Sequence, residues 1–525
     1  MGDWAFAAFD SRKKQLTLAR DHIGNTAVYY TRNRSFVAFA PTPHALLALE
    51  GVSNELDEWK LACDMARFPQ PETADHTKWK EIRQLLPSHQ LSADSQNLSV
   101  ERYWSFDEIP SVRFNSDEEY YEQFRKVMSR AVQTRIEGYR NVGTTLSSGF
   151  DSGAVTAFAA KLLGEENRSL SAYTSVPLYK NVEGMRESVV DEWPIAHSHT
   201  RLYPNIKHIP VDGQSSAPHQ VLKKIVYEYG ETVLTTGNAF WIEEILQEAS
   251  EDGIQVLLTG QMGNGGISWN GSRNQILYHF LEGHWKTGIT SVKSFKANYG
   301  VSWYKVLKYL FLWQLLSPVK KTLKQIANPN KPLWSPAAPI NPDFAERMSL
   351  NTAIRGSLLT EYKHTLESPG KSRVQIMDVN APIVCATWHR DGANHTMDIL
   401  DPTADLRLLK FCFGIPDELH AKEGRQRLLI KNALKDIVPD EVLNYKYKGR
   451  QAADIGLRLL DYKEELKSEI DSISDIPAVQ EYLDISSLYK SLENLSPDLS
   501  YSESYQHSTR LLSGLMYGYF LDRYG

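Results

Sequence analysis

The stretch from Val142 to Leu163 constrains the fold more than any other part of the chain. It reads VGTTL, then SSGFDSG, then AVTAFAAKLL: a β-type run, a turn of small residues, and an apolar run with helical spacing. A strand that passes through a tight turn into a covering helix is half of a parallel β–α–β unit. Further β-type runs lie at Leu170 to Val176 and Gln255 to Thr259 (QVLLT), beside helical segments such as Trp241 to Ala249. This alternation predicts a parallel sheet covered by helices. From about Val301 the chain reads as mainly helical.

The turn itself carries chemistry. In Ser147-Ser-Gly-Phe-Asp-Ser152 the backbone N–H groups and the positive end of the helix dipole face outward, and Ser147, Ser148 and Ser152 add hydroxyl donors. That is an anion cradle. No Lys-Ser or Lys-Thr follows the turn, so it is not a Walker loop. Asp151 inside such a cradle makes sense as the holder of a metal ion that neutralises phosphate charge. On this loop alone, a serine- and glycine-bearing helix cap without a ligand is the alternative.

Upstream the texture is different. Trp4 to Phe9, Gln15 to Ala19, Ala27 to Tyr30 and Phe36 to Ala40 are short β-type runs between polar turns, followed by a helical stretch from Asp57 to Arg67 and a β-like region ending at Leu98 to Trp104. The pattern changes near Pro110, where Ser116-Asp-Glu-Glu119 forms a capping box before a helical run. The expectation is an α/β and α+β protein of two units: residues 1–110, mostly β, and residues 111–525, a parallel-sheet domain with a helical carboxyl-terminal part. A chain of 525 residues with 42% hydrophobic content buries more than one core.

Net charge and cysteine usage exclude other classes. A formal charge of −6 argues against a dedicated nucleic-acid binder. Cys63, Cys385 and Cys412 are too few and too scattered for a disulfide framework, and they form no C-x-x-C pair. His197 with His199, and Cys385 with His389, lack the remaining ligands of a zinc site. MGDWAFAAFD shows no secretory signal, so a cytoplasmic home fits. In Val301 to Ile326 the longest apolar run is Tyr309 to Trp313, short of the ~20 residues of a spanning helix. That segment reads as a buried or amphipathic helix, or as a basic face for a partner or membrane surface.

SSGFDS matches, with one Ser in place of Gly, the S-G-G-x-D-S loop of ATP-pyrophosphatases, and the flanking sequence resembles the asparagine synthetase family. GDWAFAAFD at Gly2, ARDHIG at Ala19, LLPSHQLSAD at Leu85 and RYW at Arg102 are similar to its glutaminase domain. LLTGQMGNGG at Leu257, DPTADLRLLKF at Asp401 and YKGRQAAD at Tyr447 continue the resemblance in collinear order. The resemblance implies ATP and Mg²⁺ as cofactors. Ser147, Ser148, Gly149, Asp151 and Ser152 would bind the pyrophosphate of ATP, with Asp151 also a magnesium ligand. Thr174, Ser175 and Val176 would lie near the adenine.

Gly260 to Gly265 correspond to the family's second loop, with Gly260, Gly263 and Asn264 at the nucleotide. Asn264 stands where an acidic magnesium ligand is expected, so that contact would be weaker or differently arranged. Lys448 matches the lysine that stabilises charge on the α-phosphate, with Lys446 as the alternative. Asp398 aligns with a glutamate that would orient or deprotonate the attacking amine. Asp401 and Asp405 read as turn and cap residues before the helix Leu406 to Phe413.

The QMGN, DPTAD and KGRQAAD forms are most similar to the subgroup that closes lasso peptides by joining an Asp or Glu side chain of a precursor peptide to its own terminal amine. A leader peptidase would then be a partner. The family's glutaminase uses an amino-terminal cysteine placed before the GDFAFALWD stretch, where this sequence starts, and the first cysteine here is Cys63. If these residues are the whole protein, release of ammonia from glutamine by that route is not expected; a truncated coding sequence would look the same. Asparagine formation from aspartate, and an ATP-binding scaffold without turnover, are the rival expectations.

Overall fold

The computed structural model describes residues 2–68, 70–271, 275–308, 332–365, 368–422 and 425–525. Its amino-terminal part contains the strands β1 (Ala5–Asp10), β2 (Gln15–Arg20), β3 (Tyr29–Arg32), β4 (Val37–Ala40), β5 (Ile82–Gln84), β6 (His89–Ala93) and β7 (Leu98–Arg102). They form two antiparallel sheets, ordered β1-β2-β6-β7 and β4-β3-β5. Leu18, Val28, Tyr30, Leu85, Leu91 and Ala93 pack together between them.

The turn after β2 explains its ARDHIG sequence. The buried Arg20 guanidinium donates to the carbonyls of Thr26, Leu85 and Gly24 at 2.5, 2.7 and 2.8 Å, while Asp21 Oδ1 accepts the Gly24 N–H at 2.7 Å. Gly24 adopts φ +79°, and a Cβ there would lie 2.6 Å from Pro87 Cγ, so only glycine closes the turn.

Ser116 caps the helix Asp117–Ile136, accepting the Glu119 N–H at 3.4 Å. The expected capping box is half formed, because the Glu119 carboxylate accepts from the Asn115 N–H at 3.1 Å instead of from Ser116. The parallel sheet follows: β8 (Val142–Thr145), β9 (Leu170–Ser175), β10 (Ile206–Val211), β11 (Val256–Leu258) and β12 (Asp398–Leu400), in the order β10-β9-β8-β11-β12. Side chains alternate across it as strand geometry requires. Val142, Ala172, Val256 and Leu258 pack towards the helices Asp117–Ile136 and Phe150–Glu165. Tyr173, Val211 and Leu257 pack towards Pro218–Tyr229, Ala239–Glu251 and Tyr501–Tyr524.

Two strands depart from the sequence reading. β10, IKHIPV, was not anticipated because Lys207 and Pro210 interrupt the apolar run; at a sheet edge both are tolerated. β12 is a three-residue strand inside a region expected to be helical, and its pairing with Val256–Leu258 is what makes it a strand. With β10 counted, QVLLT supplies the fourth strand of the sheet in chain order, β11.

Of the Val301–Ile326 segment, Trp303–Leu307 forms a helix and 309–326 lies outside the described residues. Among the described residues no helix is long and apolar enough to cross a membrane.

The strand order positions the site. Chain order reverses between β8 and β11, which are neighbours in the sheet although β9 and β10 come between them in sequence. In an open α/β sheet, ligands bind in the crevice at such a reversal, outside the carboxyl ends of the strands. The segments that emerge there are Ser147–Ser152 after β8 and Gly260–Gly265 after β11.

Candidate active site

The first loop is held by its own serines. Ser152 Oγ accepts the Ser147 N–H at 3.1 Å and lies 2.8 Å from Ser147 Oγ, which in turn accepts the Gly149 N–H at 3.2 Å. Gly149 begins the helix Phe150–Glu165 and supplies no capping side chain of its own. Asp151 sits in its first turn, half-buried. Its Oδ2 accepts the Ser268 hydroxyl at 3.0 Å, and its shielded Oδ1 has no hydrogen-bond partner among the described residues. Burial pushes its carboxyl up to about 6, against the Ser268 hydrogen bond and the charges of Arg427 and Lys448, which lower it.

The second loop packs directly on the first. A Cβ on Gly260 would fall 2.8 Å from the Asp151 carbonyl carbon, and one on Gly263 would fall 2.3 Å from Asp151 Cγ. Only glycine permits that approach. Arg373, on the helix Pro369–Asn394, braces the loop from behind. Its buried guanidinium donates to the carbonyls of Gly265 at 2.6 Å, Gly266 at 2.7 Å and Cys412 at 2.9 Å, and stacks on Trp269 and Phe413. Burial lowers it to about 10, against the charges of Cys412 and Asp417, which raise it.

Asp401 braces it from the side. It follows β12 at the carboxyl end of the sheet, accepts the Met262 N–H at 2.8 Å, and turns its other oxygen to the N–H and hydroxyl of Thr403 at 2.8 and 2.6 Å. It is thus the turn residue expected and, in addition, an anchor of the second loop. Asp405 caps the helix Leu406–Gly414 and pairs with the buried Arg135 at 2.7 Å.

The remaining expected site residues divide. Lys448 is exposed on a loop, and its charge reaches Asp151. Thr174, one residue before the end of β9, has its hydroxyl committed: it donates to the Leu146 carbonyl at 2.6 Å and meets His208 Nε2 at 2.8 Å. Ser175 pairs with Val211, whose carbonyl accepts the Val176 N–H at 2.8 Å. Asn264 is exposed, and among the described residues no group of three His, Cys, Asp or Glu side chains converges as a metal site.

Asp398 is not brought to the loops. It pairs in register with Val256, itself beside Val142, at the amino end of the strands, and accepts the Tyr139 hydroxyl at 2.5 Å. Ser147 lies five residues beyond Val142, an offset of about 16 Å along the strand direction at ~3.3 Å per residue.

Arg427 and Lys431, which no motif marked, lie over the Phe150 ring at 5.5 and 5.8 Å, beside the start of the loop helix. Their only sequence signal is the basic run RQRLLIK. Cys63 is buried on the helix Glu58–Met65, and burial pushes its thiol up to about 12, far from a nucleophile's range. A separate cavity of about 440 Å³ lies between the amino-terminal unit and the helices, lined in part by Tyr29, Lys60, Asp64, Lys78, Arg390 and Tyr517. Most of its charges are paired within the protein, Lys60 with Asp64 at 2.7 Å and Arg390 with Asp391 at 2.6 Å.

A five-stranded parallel sheet with a serine-bearing loop after its first strand and a glycine-rich loop across the chain reversal defines an α/β fold with its candidate site at that reversal. Residues 123–516 match the asparagine synthase family and residues 1–104 match a glutamine amidotransferase domain. The chain belongs to the asparagine synthase family, whose members use ATP to form a carbon–nitrogen bond at a carboxylate.

Its relatives include an asparagine synthetase [glutamine-hydrolyzing] 3 of Bacillus subtilis, 21% identical over 90% of this chain and 71% of that protein. They also include a Penicillium rubens protein named amidase chyE, 25% identical over 50% of this chain and 38% of its own length. An NH3-dependent NAD synthetase structure from Campylobacter jejuni aligns over 47% of this chain and 96% of its own at 14% identity and a TM-score of 0.19, too loosely to define the fold.

Proposed function

We propose that the protein is an ATP-dependent amide ligase in which a substrate carboxylate attacks the α-phosphate of ATP, giving an acyl-adenylate and pyrophosphate, and an amine then displaces AMP. The meeting of the two glycine-bearing loops around Asp151, at the reversal of the sheet, carries this reading. In it Ser147, Ser148, Gly149 and Ser152 hold the pyrophosphate portion, and Gly260 and Gly263 let the second loop close over Asp151. Asp151 would hold a magnesium ion, since its buried Oδ1 lacks a hydrogen-bond partner among the described residues and a hard cation takes carboxylate oxygen. When bound, that ion neutralises phosphate charge. Lys448 supplies a positive charge where negative charge builds in both steps, and Thr174 to Val176 face the base.

The substrate in this reading is an Asp or Glu side chain of a precursor peptide, closed on its own terminal amine as a lasso macrolactam in the cytoplasm, with a leader peptidase as partner. The QMGN, DPTAD and KGRQAAD forms support it. Residues 1–110 would be a glutaminase-like scaffold and 111–525 the catalytic unit. A second reading, asparagine from aspartate with ammonia or glutamine as nitrogen source, is favoured by the match of residues 1–104 to a glutamine amidotransferase domain.

One experiment separates them. The protein is incubated with ATP, Mg²⁺ and either free aspartate or a peptide with an Asp or Glu side chain and a free amino terminus. Carboxylate-dependent AMP and pyrophosphate support the mechanism, and a peptide product lighter by one water supports macrolactam formation. ADP as the only nucleotide product would sink the proposal.

A further inference from the structure

The first loop already holds an anion of the protein's own. The N–H of Ser148 donates to Glu192 Oε1 at 3.2 Å, and the Ser148 hydroxyl donates to the same oxygen. Among the described residues, these are the hydrogen bonds of the Glu192 carboxylate, and it forms no ion pair there. Ser148 is buried, so its donors are aimed by the loop and not by solvent. A carboxylate oxygen that accepts a backbone N–H and a hydroxyl in a turn before a helix has the partners that a phosphate oxygen would take.

The other side of Glu192 faces the lysine loop. A Cβ on Gly449 would fall 2.0 Å from Glu192 Cδ, so the backbone next to Lys448 rests on this carboxyl group. The Arg450 N–H donates to the Val189 carbonyl at 2.9 Å, three residues before Glu192. Glu192 therefore bridges the phosphate loop and the loop that carries Lys448.

We propose that Glu192 is the resident anion of the cradle: it holds the Ser148 donors in place in the nucleotide-free protein, and a phosphate group of ATP displaces it, releasing the segment that carries Lys448. This rests on the reading of Ser147–Ser152 as the ATP phosphate loop. Occupancy by Glu192 lowers apparent affinity by the fraction of time the cradle is free. If Glu192 fills it about nine-tenths of the time, the loss is about tenfold.

The test is calorimetric titration of inorganic pyrophosphate and of ATP with Mg²⁺ into the wild-type protein, Glu192→Gln and Glu192→Ala, with melting temperatures to show that each is folded. Both variants are expected to bind pyrophosphate up to about tenfold more tightly. Hydrogen exchange in 446–451 is expected to rise on ATP binding in the wild type and to be high already in Glu192→Ala. Binding by folded Glu192→Gln that equals or falls below wild type would overturn the proposal while leaving the ATP reading intact. Absence of ATP and pyrophosphate binding in every form, wild type included, would overturn the ATP reading itself and this proposal with it.

Discussion

Replacing Gly260 with alanine places a methyl group where the two loops touch. The new Cβ would lie 2.8 Å from the Asp151 carbonyl carbon, 2.9 Å from the Ser152 nitrogen and 3.0 Å from the Asp151 oxygen. All three are backbone atoms, so no rotamer change relieves the contact. Carbon atoms in ordinary contact are about 3.5–4.0 Å apart, so the loops must part by roughly 0.7 Å or more. The second loop resists, because the Thr259 N–H is bonded to the Leu400 carbonyl at 3.0 Å and the Met262 N–H to Asp401 at 2.8 Å.

Overpacking of this kind costs about 1–3 kcal/mol. At ~1.4 kcal/mol per tenfold, that is a loss of roughly 5- to 150-fold in the population with the loops closed, and in ATP affinity with it. Calorimetric titration with ATP and a melting curve read both effects. Gly237→Ala is the control, since a Cβ there meets nothing within 4 Å and should leave binding and melting unchanged. A Gly260→Ala protein that binds ATP and melts like the wild type would refute the close approach of the loops as a determinant of binding.

Lys448→Ala should lower carboxylate-dependent AMP formation by about 10²- to 10³-fold while Lys446→Ala stays near wild type; equal losses would contradict the assignment. Asp398→Asn should leave adenylation unchanged, and a large loss would show that its position at the amino end of the strands misleads. Arg373→Met strands the carbonyls of Gly265, Gly266 and Cys412, and should lower stability by about 2–5 kcal/mol and weaken ATP binding, both measurable by denaturant titration and calorimetry.

The buried Glu243 accepts from Lys224 at 2.7 Å and meets His395 Nε2 at 3.2 Å. Burial alone would raise the Glu243 carboxyl, but the hydrogen bonds from His395 and Lys224 hold it at about 2, below its ordinary 4.5. His395 is raised above 6.5 by Glu243 against its own burial. The Glu243 contribution is present above 4.5 and lost as pH falls towards 2, and the His395 contribution is present below 6.5 and lost as pH rises past its folded value. The melting difference between wild type and Glu243→Gln should therefore peak between pH 4.5 and 6.5, and a flat difference would contradict this.

What could be read in advance was what contiguous residues encode. The loop Ser147–Ser152 is held by bonds among its own serines, and the glycines at 260 and 263 announce a close approach by being glycines. What could not be read depends on partners far away in the chain. Glu192 meets Ser148 from 44 residues away and Arg373 meets Gly265 from 108, with nothing local to mark either. β10 was hidden because an edge strand need not be apolar throughout.

The DILD sequence at Asp398 shows the limit most sharply. It offers two carboxylates three residues apart, and motif alignment favoured the first as the catalytic one. On a strand those residues are separated by about 10 Å along the sheet. Which of them stands beside the two loops depends on the register of β12 against β11, and Asp398 pairs with Val256, at the start of that strand. The register therefore sends Asp398 to the amino end of the sheet and leaves Asp401 at the carboxyl end, bonded to the second loop. Asp401→Asn should consequently disturb ATP binding where Asp398→Asn does not, and the opposite order of effects would mean that β12 pairs in a different register from the one described.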